Sequence, residues 1–269
     1  MTRTVSFMGA NYVARQLGYH MTGGWGQGDR ASSEHFRPIE TFPDRFAEIV
    51  GDVAAMGFRA MDVWTGHISP QWVTPEHLVA ARAVLDEHGV IVPSLGGWFG
   101  STREELAATC RIAEALDCPL LGGSTSLLDK DRDYLLSLLA AAGLRLGVEN
   151  HPEKSPETLL GRLGEPHPLI GVTVDTGWFG TQGYDAARAL EELASVLFYV
   201  HLKDVFAVGE PHVTCRWGAG VVPMERCVRT LEAIGYEGAY CIEHEPEDHD
   251  PTEDVIASKA LLESWLEPA

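Results

Sequence analysis

The chain has 269 residues, 45% of them hydrophobic, and carries 39 Asp and Glu against 20 Lys and Arg for a formal charge of −19. That length suits one α/β barrel, and the apolar share is enough for a large core. The acidic field excludes partners held through phosphates, nucleic acid above all, but not a neutral sugar or a metal cation.

The opening "MTRTVSFMGA" lacks an apolar signal core, and no run of 18 apolar residues follows, so the chain reads as soluble, cytoplasmic and independent of a membrane. Cys110, Cys118, Cys215, Cys227 and Cys241 are odd in number and never spaced C-x-x-C, the pattern of buried thiols in a reducing compartment.

In chain order the predicted strands are "VSFMG" (5–9), "AMDVW" (60–64), "VIVPSL" (90–95), "PLLGGS" (119–124), "RLGVEN" (145–150), "IGVTVD" (170–175), "FYVHLK" (198–203) and "AYCIEH" (239–244). Amphipathic stretches such as "DRFAEIVGDVAAMG", "PEHLVAARAVLDEHG", "REELAATCRIAEALD" and "MERCVRTLEAIG" lie between them, apolar at spacings of three and four. Eight alternating strand–helix units predict parallel strands and a single (β/α)8 TIM barrel spanning 1–269, with a doubly wound open sheet as the alternative. A long loop is expected after the first strand, over about 11–42, at the face where barrels build their sites. Its Tyr12, His20, Trp25 and His35 are candidates for a lid or a partner-binding surface.

Four consecutive strands end in a residue unsuited to a packed core: Glu149 in "GVENH", Asp175 in "VTVDTGW", His201 in "YVHLKD" and Glu243 in "CIEHE". Three carboxylates meeting at one depth would repel one another, and a divalent cation removes the conflict. Oxygen-rich donors with one imidazole suit Mn²⁺ best, with Mg²⁺ or Co²⁺ as alternatives. Glu245 points the same way as Glu243, one layer further out. Glu247, Asp248, His249 and Asp250 read as a solvated turn, with Asp250 capping a last helix that has Pro251 at its first position.

At these four residues the chain resembles the xylose-isomerase-like barrels, the sugar phosphate isomerases and epimerases. The likeness runs over almost the whole length and is strongest over 145–245. It implies that Glu149, Asp175, His201 and Glu243 hold one metal ion, and that Glu149 and Glu243 move a proton beside a sugar carbonyl through a metal-stabilised enediolate. "GFRAMDVW" resembles the family's strand 2 phrase and marks Asp62 and Trp64 as substrate-binding. "RWGAGVVP" resembles its glycine loop and brings in Arg216. Two departures stand out: Trp178 replaces a histidine in "DTGW", and Tyr199 replaces one in "YVHLKD". His151 then becomes a candidate acid or base, and Lys203 a ligand for substrate hydroxyls or an anion. Trp25, Trp64, Trp98 and Trp178 near the mouth imply something larger than a free pentose.

Two outcomes of the same proton abstraction stay open. One is isomerisation or epimerisation. The other is β-elimination, as in the lyase-like branch that dehydrates keto-inositols or cleaves 3-keto-C-glycosides, which would bring a smaller partner subunit in place of a homo-oligomer. The absence of a convincing phosphate-binding glycine motif points to a non-phosphorylated sugar or glycoside. A related abasic-site endonuclease is a remote alternative, disfavoured by the charge and the single-metal donor set.

Overall fold

The structure, a computed structural model, describes residues 3–267 apart from Pro152. The barrel strands are β1 (Val5–Met8), β2 (Ala60–Trp64), β3 (Leu95–Trp98), β4 (Leu120–Ser124), β5 (Arg145–Glu149), β6 (Ile170–Asp175), β7 (Leu197–Leu202) and β8 (Tyr240–Ile242). They close in the order β1-β8-β7-β6-β5-β4-β3-β2, every pairing parallel, with helices in the crossovers. This is the single (β/α)8 barrel that the alternation requires. A two-stranded ribbon, Asp204–Val205 against Thr214–Cys215, rises from the end of β7.

Side-chain alternation sorts each strand into two faces. Phe7, Met61, Val63, Leu121, Val148, Val172, Val200, Leu202 and Ile242 point outward into the main core beneath the helices. Met8, Trp64, Leu120, Tyr199 and Cys241 form a smaller apolar cluster inside. On β4 and β5 the inward-facing residues include Gly122 and Gly147. A Cβ on Gly147 would stand 2.4 Å from Thr173 Oγ1, and one on Gly122 would stand 2.7 Å from Ser94 Oγ. These glycines let the polar inward residues of neighbouring strands fill the narrow lumen. All five cysteines are free and buried. No helix among the described residues is long and apolar enough to cross a membrane.

Three expectations are corrected. β3 begins at Leu95 rather than at Val90, because Pro93 has no N–H to give to a ladder; Ile91 makes only an isolated bridge to Ala60. The segment 11–42 is not an open loop. It holds two 3-10 turns, Gly9–Tyr12 and Arg15–Leu17, and the α-helix Trp25–Phe36. Its backbone is tied to the far end of the chain where Met21 N–H donates to Glu247 O at 3.1 Å. The last helix, Thr252–Leu266, has Pro251 as its cap residue, and Asp250 Oδ1 accepts the Thr252 N–H at 2.9 Å.

Candidate active site and metal centre

Glu149, Asp175, His201 and Glu243 converge, all buried, at the C-terminal ends of β5, β6 and β7 and just past β8. His201 Nδ1 lies 2.5 Å from Glu149 Oε1 and 3.6 Å from Glu243 Oε2. Asp175 is the register partner of His201 across β6 and β7. Its Oδ1 accepts the Trp178 N–H at 3.0 Å, capping the short helix Thr176–Thr181, which leaves Oδ2 for the site. The Asn150 side chain grips this strand end, donating to Asp175 O at 2.9 Å and accepting Asp175 N–H at 2.8 Å.

Lys203, two residues beyond His201, points into the same lumen. Its Nζ lies 2.9 Å from Asp175 Oδ2, 3.3 Å from Glu243 Oε1 and 2.9 Å from Glu245 Oε2. Glu245 also accepts the Trp25 indole N–H at 3.1 Å. Glu245 thus sits further out than Glu243, as the alternation predicts, yet it is built into the site through Lys203.

Charge crowding governs the proton affinities. Burial raises Glu243 well above the carboxylate range, and the nearby Lys203 only partly opposes it. For Glu149 burial also works upward, but His201 and His151 outweigh it and the net shift is downward. Asp175 follows the same balance, with Lys203 the counterweight to burial. Burial disfavours the imidazolium of His201, yet Glu149 and Glu243 overcome that and push it to about 10. Lys203 is likewise held charged against burial by Asp175, Glu243 and Glu245.

A divalent cation fits this donor set. Glu149, His201 and Glu243 present ligand atoms within 4.8 Å of one another, as do Glu149, His151 and Asp175. Glu243 Oε2 is buried without a hydrogen-bond donor, and Asp175 Oδ2 has only the Lys203 ammonium, which it shares with Glu243 and Glu245. An unpaired buried carboxylate oxygen is costly, and three carboxylates crowded around one imidazole are what a hard or borderline dication relieves.

The remaining expected site residues are divided. His151 stands at the mouth, 43% exposed, with Nδ1 3.7 Å from Glu149 Oε2 and its ring against Trp178 at 5.1 Å. Trp178 is half-buried and stacks on His212 at 4.0 Å, 8° from parallel. Trp25 packs edge-on against the buried Trp64 at 5.5 Å. Asp62 does not reach the mouth. It is fully buried one layer below, where Ser6 Oγ and Tyr199 OH donate to its Oδ1 and its Oδ2 faces His201 Nε2 at 3.8 Å. Burial lifts its pKa to about 6. From there Asp62 can act on substrate only through the His201 ring. Arg216 is exposed on the glycine loop and takes no part in the cluster; that loop is instead held by buried Asp204, which accepts the N–H groups of Gly218, Gly220, Val222 and Val205 at 2.9–3.1 Å. Trp98 is 46% exposed at the end of β3. His212 escaped the sequence reading. Only the fold brings it onto Trp178, although its place in the polar loop after "HLKD" was visible.

A closed parallel barrel with three carboxylates and an imidazole gathered at its C-terminal rim defines the class. The chain belongs to the xylose isomerase-like TIM barrel family, whose profile matches residues 50–265. Among solved structures, it resembles a xylose isomerase-like TIM barrel protein from Mycobacterium smegmatis in complex with magnesium, at 14% identity over 99% of this chain and 98% of that one, with a TM-score of 0.70. A probable 3-DHS dehydratase from Bacillus anthracis matches at 13% identity over 97% and 98%, TM-score 0.66. A 3-keto-D-glucoside 4-epimerase from E. coli matches at 15% identity over 81% and 94%, TM-score 0.61. No curated protein matches the sequence.

Proposed function

We propose that this protein is a divalent-metal-dependent carbohydrate enzyme that removes a proton from the carbon beside a sugar or keto-sugar carbonyl. The observation that carries the reading is the convergence of Glu149, Asp175, His201 and Glu243 on one buried point, with Glu243 Oε2 lacking a hydrogen-bond donor. These four residues would hold the ion, Mn²⁺ in preference to Mg²⁺ or Co²⁺. Bound there, a dication supplies positive charge that offsets the oxyanion developing on the substrate carbonyl.

The protein's own groups do the rest. Glu149 is kept ionised by His201 and His151 and can accept a carbon-bound proton. Glu243, whose proton affinity burial raises, is suited to return one. The two stand on β5 and just beyond β8, three strands apart around the rim, and so flank a bound sugar from different sides. His151 at the open side of Glu149 can relay the proton to solvent. Proton return to the opposite face gives an epimer, and return to the neighbouring carbon gives an isomer. Loss of a β-substituent from the enediolate, with a proton delivered to the leaving oxygen or carbon, gives elimination. Two aromatic pairs, Trp25 on Trp64 and Trp178 on His212, favour a glycoside-sized substrate and support this lyase outcome as the second reading. Lys203 already has three carboxylate partners, so a phosphorylated sugar finds no free cation there.

The test is exchange of carbon-bound hydrogen in D₂O by NMR, on 3-keto-glucose, its glycosides and free ketoses, with Mn²⁺ present. Exchange by the wild type that falls about 10²–10⁴-fold in Glu149→Gln and Glu243→Gln supports the assignment. Equal exchange by the variants, or none by the wild type across the panel, rejects it. The products then separate epimer from eliminated enone.

A further inference from the structure

Beyond β8 the chain runs "EHEPEDHDPTED", and the fold draws His244, His249 and Asp254 of this stretch together on the outside of the barrel wall, away from the lumen where Glu243 points. We propose that these three side chains form a second metal site, selective for Zn²⁺ or a similar borderline ion, that clasps the loop 245–251 to the last helix. It does not depend on the function proposed above.

The geometry is specific. His244 Nε2 and His249 Nε2 each lie 3.3 Å from the same oxygen, Asp254 Oδ2, and all three ligand atoms lie within 4.8 Å of one another. Tetrahedral zinc with bonds of roughly 2.0–2.1 Å sets neighbouring ligand atoms about 3.3 Å apart. Each imidazole is also held by its other nitrogen. His244 Nδ1 is 3.1 Å from Thr214 Oγ1, and His249 Nδ1 is 2.7 Å from Asp248 Oδ1. An N–H donated to those oxygens fixes the tautomer whose Nε2 lone pair faces Asp254, the outer-shell arrangement that orients zinc-binding histidines. His244 is 1% exposed and anchored in the fold, whereas His249 at 49% and Asp254 at 28% leave an entry path and room for a water as fourth ligand.

Two nitrogens and one oxygen make a softer set than the oxygen-rich lumen, so the two sites sort metals by ligand type. The consequence lies in what the clasped loop carries. Glu245 on it holds Lys203 and Trp25, and Glu247 O accepts the Met21 N–H of the segment that covers the mouth. Closing the clasp would therefore stiffen one wall of the mouth without touching substrate.

The experiment is titration of the metal-stripped full chain with Zn²⁺ in the presence of saturating Mg²⁺, followed by calorimetry, with Co²⁺ absorption as the geometric readout. Wild type is expected to take one Zn²⁺ that Mg²⁺ does not displace and to show the intense visible bands of tetrahedral Co²⁺. His249→Ala, at a half-exposed position that the fold does not need, should weaken that Zn²⁺ by about 100-fold or more, and Asp254→Asn should do likewise. Glu243→Gln should leave it intact, which separates this site from the lumen site. Unchanged Zn²⁺ affinity in His249→Ala, a weak octahedral Co²⁺ spectrum, or no Zn²⁺ retained against Mg²⁺ would overturn the proposal in favour of two imidazoles hydrogen-bonded to Asp254.

Discussion

Lys203→Met removes one ammonium and keeps most of the side chain's length, so it isolates the charge at the centre of the rim. In the native protein that ammonium faces Asp175, Glu243 and Glu245 from a position 2% exposed. Removing one member of a buried ion pair costs about 3–5 kcal/mol, because the remaining charge stays buried without a partner. For a chain of this size the loss corresponds to a fall in Tm of roughly 6–20 °C. The sign of its pH dependence follows from the shifts. Asp175 has a lowered pKa in the folded state, so its contribution is present above the unfolded value and fades as pH falls through the folded one. Lys203 has a raised pKa, so its contribution is present in full at pH 8 and disappears only in strong alkali. Without Lys203 the largest counterweight to burial is gone, and Asp175 and Glu243 both take up protons more readily. The deficit of the variant should be largest at pH 8 and shrink toward pH 5. Thermal melts of both proteins across that range, with and without Mn²⁺, read it directly, and Mn²⁺ should recover part of the loss. A variant as stable as wild type at pH 8, or a deficit that grows on acidification, would refute the account of Lys203 as the counter-charge.

Two further substitutions test the supports of the site. Tyr199→Phe deprives Asp62 of one of its two donors; it should cost about 1–2 kcal/mol in urea unfolding and weaken Mn²⁺ binding by roughly 10-fold through the His201 ring. Calorimetry that finds Mn²⁺ affinity unchanged would show that Asp62 does not steady His201. Asp204→Asn turns an amide toward four N–H donors that a carboxylate satisfies, and should cost about 3 kcal/mol, with amide exchange accelerated at Gly218, Gly220 and Val222. Protection equal to wild type at those three amides would assign the glycine loop's order to something else.

Much of the barrel was legible because alternation in the sequence is the architecture: apolar runs at regular spacing leave few ways to close a parallel sheet. The four rim residues were legible for the same reason, each being the one polar group after an apolar run, at a position where alternation points inward. Other parts depended on contacts that no local pattern encodes. The helix Trp25–Phe36 arises from "WGQGDRASSEHF", two glycines and two serines with low helix propensity; tertiary packing stabilises it, down to Gly28, where a Cβ would come within 2.4 Å of Val13 O. Asp62 followed a strand pattern that places it inside the barrel, but the pattern does not tell which layer it occupies, and Ser6 and Tyr199 claim it below the mouth. His249 reads as one more residue of a solvated turn until the helix start brings Asp254 beside it.

The two departures from the family pattern acquire a physical meaning together. Tyr199 occupies a lumen position where an imidazole was expected, and its hydroxyl donates 2.7 Å to Asp62. Asp62 in turn faces His201 Nε2 at 3.8 Å, beyond hydrogen-bond length, so a phenol that stays protonated, its pKa raised well above the ordinary value by burial, fixes the carboxylate beneath the ring without adding a titrating group to the rim. Trp178 removes an imidazole from the next strand end, and His212 returns one by stacking on the indole, with Nδ1 2.7 Å from Thr181 Oγ1. Burial lowers His212 to about 4, so at neutral pH this imidazole is an uncharged hydrogen-bonding group. The exchanges leave the acidic donor set intact and replace two chargeable groups beside it with a fixed phenol and a neutral, stacked ring. On the function proposed above, a mouth built this way would suit a flat, uncharged surface beside a strongly acidic floor, which is the physical ground for proposing a neutral glycoside rather than a sugar phosphate.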